Sequence, residues 1–139
     1  MNNYKVLIIG AGGIGKRHII GYLATNRVSI SIIEPDVKKR KIISNEFKIN
    51  NTYSSIDEVN NKFDFAIICS PANLHVEHMM FCIQNNLDFM VEKPLSINLN
   101  NLDNIISSVK DKKIFARVGY TRRNNLETRA MREQIKNNK

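Results

Sequence analysis

The stretch Val6-Leu7-Ile8-Ile9-Gly10-Ala11-Gly12-Gly13-Ile14-Gly15 decides the reading of the fold. Four apolar residues run without a break into G-x-G-x-x-G, and a helix-compatible segment follows. A strand of a parallel sheet is covered by helices on both faces, so it reads as a continuous apolar run. The glycines then fall where a dinucleotide-binding turn needs them. Gly10 permits the tight turn, Gly12 leaves room for a pyrophosphate against the backbone, and Gly15 lets the helix pack closely on the strand. Gly13 and Ile14 belong to the same turn and count with it as cofactor-contacting residues. The free N–H groups and positive dipole end of the helix would face the phosphates.

An acidic residue follows at the matching distance. Val28-Ser29-Ile30-Ser31-Ile32-Ile33 reads as a second strand, rich in β-branched residues, with Glu34 at its end. Glu34 falls 19 residues after Gly15, and the fingerprint places an Asp or Glu about 20 residues on, where it accepts hydrogen bonds from the adenosine ribose. A carboxylate there repels a 2′-phosphate and favours NAD over NADP. The run Lys38-Lys39-Arg40-Lys41 keeps NADP in view. It reads as a solvated helix face, as a localisation-like basic patch, or as a cradle for a 2′-phosphate.

A chain of 139 residues fits a single domain and buries about two-thirds of its unfolded surface without staples. It contains no run of about 18 apolar residues, so no membrane-spanning helix is expected. The opening Met1-Asn2-Asn3-Tyr4 leads straight into a strand, which leaves no room for a signal peptide and points to the cytoplasm. Cys69 and Cys82 lack metal-ligand spacing and read as reduced core thiols. The formal charge of +8 invites a nucleic-acid partner. The basic residues are scattered, however, with no aromatic-interleaved stripe and no nucleic-acid motif, so none is expected. Abundant Lys, Asn and Ile, with Asn doublets such as Asn50-Asn51, look like a coding bias of an A/T-rich genome.

Apolar runs alternate with helix-length segments along the whole chain. The pattern predicts strands near 4–10, 28–33, 49–53, 64–69, 88–91 and 114–118. It predicts helices over 13–25, 36–46, 55–60, 73–86, 98–110 and 126–137. Such alternation argues for right-handed β-α-β crossovers, hence a doubly wound α/β fold of Rossmann type with a mainly parallel sheet. Ser55-Ile56-Asp57-Glu58 has capping-box spacing, and Asn73 and Asn98 are placed to cap helices. The tail Lys136-Asn137-Asn138-Lys139 reads as frayed. Lys16 and Arg17 sit in the first turns of a helix, where they either point into water or answer a bound pyrophosphate.

Two later segments narrow the family. Ser70-Pro71-Ala72-Asn73-Leu74-His75 follows the strand Phe65-Ala66-Ile67-Ile68-Cys69, and Glu92-Lys93-Pro94-Leu95-Ser96 follows Phe89-Met90-Val91. With the N-terminal GAGGIG and the segment Val118 to Arg123, the chain resembles the glucose–fructose oxidoreductase, inositol dehydrogenase and MocA family of NAD(P)-dependent oxidoreductases. The resemblance covers nearly the whole chain. It implies that Ser70, Pro71, Asn73 and His75 line the ribose and nicotinamide side of the cofactor, with Glu92 and Lys93 beside them. It also implies that Lys93 helps deprotonate a substrate hydroxyl while hydride passes to nicotinamide. Lysine suits that role because its pKa shifts readily on desolvation. The i, i+3 pair His75 and His78 has no further ligand to complete a metal site, so no metal is expected.

The sequence also departs from the family. Its members run to more than twice this length, with a second sheet domain that shapes the substrate pocket and carries a catalytic histidine. None of His18, His75 and His78 matches that histidine, and Asn124 stands where an aromatic is usual. The expectation is a dinucleotide-binding domain over 1–122, with 123–139 starting the connection to an absent substrate domain. Three readings follow: an oxidoreductase cut short and catalytically incomplete, a self-standing nucleotide-binding or regulatory module, and a subunit completed by another chain. A family substrate would be a sugar, nucleotide sugar, polyol or similar secondary alcohol. Leu126, Ala130, Met131 and Ile135 share one side of the last helix, which is expected to meet a second copy or to be poorly ordered.

Overall fold

In the computed structural model, which describes residues 3–137, the apolar run Tyr4–Ile9 forms the strand β1. Side chains of a strand alternate between faces, and both faces of β1 are covered. Leu7 and Ile9 join one apolar cluster and Val6 and Ile8 another, none more than 2% exposed. This double cover is why the run has no polar interruption. The turn after β1 leads into α1 (Gly13–Leu23), followed by β2 (Val28–Ile33), α2 (Val37–Phe47) and the short β3 (Thr52–Tyr53). The second half runs through β4 (Phe65–Ile68), α3 (His75–Gln84), β5 (Asp88–Glu92), α4 (Leu102–Asp111), β6 (Ala116–Gly119) and α5 (Leu126–Asn137).

The six strands form one sheet in the order β3-β2-β1-β4-β5-β6, and the pairings in it are parallel. Ile19 of α1 and Ile43 of α2 pack with Val6, Ile8, Ile32 and Ile67 on one face. Met79 and Cys82 of α3 and Ile105 of α4 pack with Leu7, Ala66, Phe89 and Val91 on the other. The expected doubly wound architecture is therefore present. From β1 the chain moves outward to β3 and then returns to β4 on the other side of β1. That reversal opens a crevice beyond the carboxyl ends of β1 and β4, where open parallel sheets bind ligands.

The helix starts differ from the sequence expectation, each for a local reason. Asp36, expected inside a helix, instead caps α2 by accepting from the N–H groups of Lys38 and Lys39 at 2.9 and 3.0 Å. Asn73 does not cap α3; it lies within a 3-10 turn, Ala72–Leu74, that leads into the helix. Asn98 does not cap α4 either. Its Oδ1 accepts from the Asn100 N–H at 2.9 Å, and its own N–H donates to Ser96 Oγ at 3.0 Å. Short polar side chains that satisfy the backbone locally compete with helix, so α4 begins at Leu102. The expected capping box is offset by one residue: Ser54, not Ser55, donates its N–H to Glu58 at 2.7 Å, around a short 3-10 turn Ile56–Glu58. Of the tail expected to fray, Asn138 and Lys139 lie outside the described residues, while Lys136 and Asn137 belong to α5.

Candidate cofactor site

The crevice at the carboxyl ends of β1, β2 and β4 holds a cavity of about 680 Å³. Its floor is the turn after β1, with Gly10, Gly12, Gly13 and Ile14 lining it. Gly10 has φ +93, a conformation that side chains resist, and a Cβ there would stand 2.7 Å from the Ser70 nitrogen. At Gly15 a Cβ would fall 2.0 Å from the Gly10 carbonyl oxygen, so α1 seats on the turn only because that atom is missing. Gly12 and Gly13 are the opposite case. Nothing lies within 4 Å of a Cβ built on either, and both face the open cavity. Two glycines therefore build the turn, and two leave space above it.

Glu34 lies at the end of β2 and is 7% exposed. One carboxylate oxygen accepts from the Ala11 N–H at 3.1 Å, and the other accepts from the Asp36 N–H at 3.2 Å. The first contact ties β2 to the glycine turn. A carboxylate has about four acceptor sites, so both oxygens keep capacity toward the cavity that Glu34 lines. Asp36 and Lys39 line the same wall. The Arg40 guanidinium donates to the main-chain carbonyl of Glu34, which engages the most strongly directional cation of the basic run. Lys16 pairs with Glu46 at 2.8 Å rather than standing over the turn.

The β4 side of the cavity is built by Cys69, Ser70, Pro71, Leu74, Glu77 and His78. Burial, reinforced by the charge of Glu92, pushes the Cys69 thiol up to about 12, so it stays protonated and is no nucleophile at neutral pH. Cys82, also free, is pushed to about 12 by burial alone. His75 is placed differently from the sequence expectation. It is 1% exposed, and its ring nitrogens face the carbonyl oxygens of Pro94 at 2.8 Å and Ser70 at 2.9 Å. It braces the loops after β4 and β5 instead of offering a free edge to a ligand. Asn73 is exposed and lines a separate small hollow with Ser96 and Asn98.

Lys93 is exposed at the end of β5 and does not line the main cavity. Its neighbour Glu92 is 9% exposed and receives His18 Nε2 at 2.9 Å. The second Glu92 oxygen accepts from the Lys93 N–H at 3.3 Å. A Cβ on Gly119 of β6 would come within 3.1 Å of the first oxygen, so the strand beside β5 is cut away to admit the carboxylate. Glu92 thus sits where α1, β5 and β6 meet, next to Lys93 in the chain. The sequence reading missed the wall formed by Ser54, Ser55, Ile56 and Asp57. The signal was their place after a short strand, since loops at carboxyl ends surround the crevice. It also weighed His78 only as a metal ligand. Among the described residues no three His, Cys, Asp or Glu side chains gather as a metal site.

A family model described as oxidoreductase family, NAD-binding Rossmann fold, matches residues 4–120. The chain belongs to the glucose–fructose oxidoreductase, inositol dehydrogenase and MocA family. Among relatives of this Gfo/Idh/MocA chain, the myo-inositol 2-dehydrogenase of Thermotoga maritima is 24% identical over 137 residues, covering 96% of the chain and 41% of that protein. The crystal structure of myo-inositol 2-dehydrogenase from Lactobacillus plantarum superposes with a TM-score of 0.87 at 23% identity, covering 98% of the chain and 42% of that structure. An oxidoreductase from Agrobacterium radiobacter in complex with NAD+, L-tartaric acid and magnesium gives a TM-score of 0.79 at 18% identity, over 85% of the chain and 35% of that structure. At such identities the superpositions show the fold. The chain spans about two-fifths of the length of the curated relatives it matches.

Proposed function

We propose that this Gfo/Idh/MocA chain binds NAD(H) as the cofactor domain of an oxidoreductase acting on a secondary alcohol of a sugar, nucleotide sugar or polyol. The observation that carries the reading is Glu34, a nearly buried carboxylate held against the glycine turn and facing the same cavity as Gly12 and Gly13. Gly12 and Gly13 leave the open backbone that a pyrophosphate requires, and Glu34 supplies acceptors for a ribose diol. A 2′-phosphate would meet the charges of Glu34 and Asp36 together, with Arg40 already engaged, which favours NAD over NADP. Ser70 and Pro71 supply the second wall. We assign residues 1–122 to cofactor binding and 123–139 to the start of a connection toward a substrate domain.

A bound nicotinamide supplies the hydride acceptor. Lys93 is the chain's own candidate for moving the substrate proton, directly after β5 with its main-chain N–H donating to the Glu92 carboxylate. Each of the three histidines is engaged: His18 by Glu92, His75 by two carbonyls and His78 by Ser70. Among the described residues no imidazole therefore stands free to serve as a second acid or base, which supports cofactor binding without appreciable turnover by this chain alone. Calorimetric titration with NAD+ and NADP+ tests the reading. We expect NAD+ to bind about tenfold or more tightly than NADP+, and Glu34→Ala to weaken NAD+ by a similar factor, as loss of a charged hydrogen-bond acceptor does. Tighter NADP+ binding would overturn the preference, and no binding of either would overturn the cofactor assignment.

A further inference from the structure

His78 is a nearly buried titratable residue, 9% exposed, on the second turn of α3. Its Nδ1 lies 2.8 Å from Ser70 Oγ, and both residues line the cavity that Glu34 and Gly12 line. Ser70 belongs to the loop after β4 and His78 to the helix beyond it, so the contact closes that loop on its helix. Nothing in the catalytic or glycine-turn arrangement uses His78, and the histidine next to it in space, His75, is spent on main-chain carbonyls.

A serine hydroxyl rotates freely and can present either a proton or a lone pair. A fixed neighbour removes that freedom. Where Nδ1 accepts the Ser70 proton, the oxygen turns its lone pairs to the cleft; where Nδ1 carries the hydrogen, the serine proton is freed to donate. Burial holds the His78 imidazole below its ordinary range, opposed in part by Glu77 and reinforced by His75, so the ring is neutral at pH 7 and carries a single N–H. One neutral ring and one hydroxyl therefore form a unit in which the ring's tautomer sets the polarity that the serine shows to whatever occupies the cavity.

We propose that His78 is a positioning residue that orients the Ser70 hydroxyl toward the bound dinucleotide, the two acting as one hydrogen-bonding unit. The proposal rests on the cofactor reading above and adds a residue to it. Pre-orienting a donor or acceptor removes the rotamer cost of binding, which is how preorganised sites gain affinity.

A double-mutant cycle on the whole chain, read by NAD+ calorimetry at pH 7.5 with unliganded melting curves in parallel, tests it. His78→Leu and Ser70→Ala are each expected to weaken NAD+ about fivefold, the scale of one hydrogen bond. The double variant should bind no more weakly than either single one, because residues of one unit are not additive. His78→Asn places an amide near the Nδ1 position and should bind within about twofold of the unsubstituted chain. Affinities that multiply in the double variant would overturn the proposal, as would unchanged binding in Ser70→Ala. Should His78→Leu fail to fold, the Asn variant decides with Ser70→Ala: binding by His78→Asn within about twofold of the parent, beside a fivefold loss in Ser70→Ala, supports the unit, and a larger loss in His78→Asn overturns it. Absence of NAD+ binding by the unsubstituted chain would instead remove the cofactor reading, and this proposal with it.

Discussion

Single atoms separate structural glycines from ligand-facing ones in the turn after β1. Gly15→Ala would drive a methyl group to 2.0 Å from the Gly10 carbonyl, and overpacking of that kind costs about 1–3 kcal/mol; urea denaturation would read it. Gly12→Val has open space in the unliganded chain, so its melting temperature should stay close to that of the parent. Its NAD+ affinity, by contrast, should fall by about a hundredfold or more, since the side chain fills the room a pyrophosphate needs. Wild-type affinity in Gly12→Val would contradict the site. His78 adds a pH signature. Its folded-state pKa lies below the ordinary value of 6.5 because burial disfavours the charged ring. Below pH 6.5 the unfolded chain takes up a proton that the folded chain refuses, so stability is complete above pH 6.5 and declines as pH falls. Melting curves at pH 7.5 and 5.5 should show that decline, and His78→Leu should flatten it.

Among the elements, burial decides which substitutions matter. Phe89 of β5 is 1% exposed between β4 and β6, and Phe89→Ala should cost about 3–5 kcal/mol by cavity formation. Leu126 and Ile135 of α5 are 80% and 63% exposed, so Ala at either should change stability by no more than about 0.5 kcal/mol. Chemical denaturation of the two sets compares them directly. The strands and their order of appearance were legible because short runs rich in apolar and β-branched residues, alternating with helix-length segments, suit a parallel sheet covered on both faces. Helix starts were less legible: Asn98 and Asn73 carry side chains that suit a cap and a tight turn equally. Nor could sequence show that His75 lies in the core. Its burial depends on the Pro94 carbonyl, which approaches from a loop 19 residues on.

At the scale of the molecule, the glycine turn, Glu34 and the β4 loop meet on one cavity, while Lys93 stands apart at the end of β5. Spacing alone pointed to the glycine turn and Glu34, because a single β-α-β unit carries both, whereas the β4 loop entered only through the family resemblance. The wall from Ser54 to Asp57 escaped it, since that loop is brought in by β3, two residues long and paired only at Ile32 and Ile33. We expect the chain by itself to show no appreciable NAD+-dependent oxidation of sugars or polyols. Robust activity abolished by Lys93→Ala would contradict this. The apolar side of α5, with Leu126, Met131 and Ile135 all more than 60% exposed, leads us to expect concentration-dependent association in light scattering. A monomer at all concentrations, with α5 amides as protected from exchange as those of β1, would argue against it.

The central seat of β1 bears on how the chain is made. Val6 pairs with Ile30 on one side but with Phe65 on the other. While the chain is being synthesised, β2 is available early, yet β4 has not emerged until residue 68. Through that interval β1 presents one open edge of unpaired N–H and C=O groups along an apolar ribbon, the kind of edge that recruits other strands. Long-range pairing of this sort also slows folding and lengthens the exposure. Because the glycine turn grows directly out of β1, the ligand crevice cannot exist on a nascent chain that stops short of β4, and it is completed only when the second half of the sheet closes over the first.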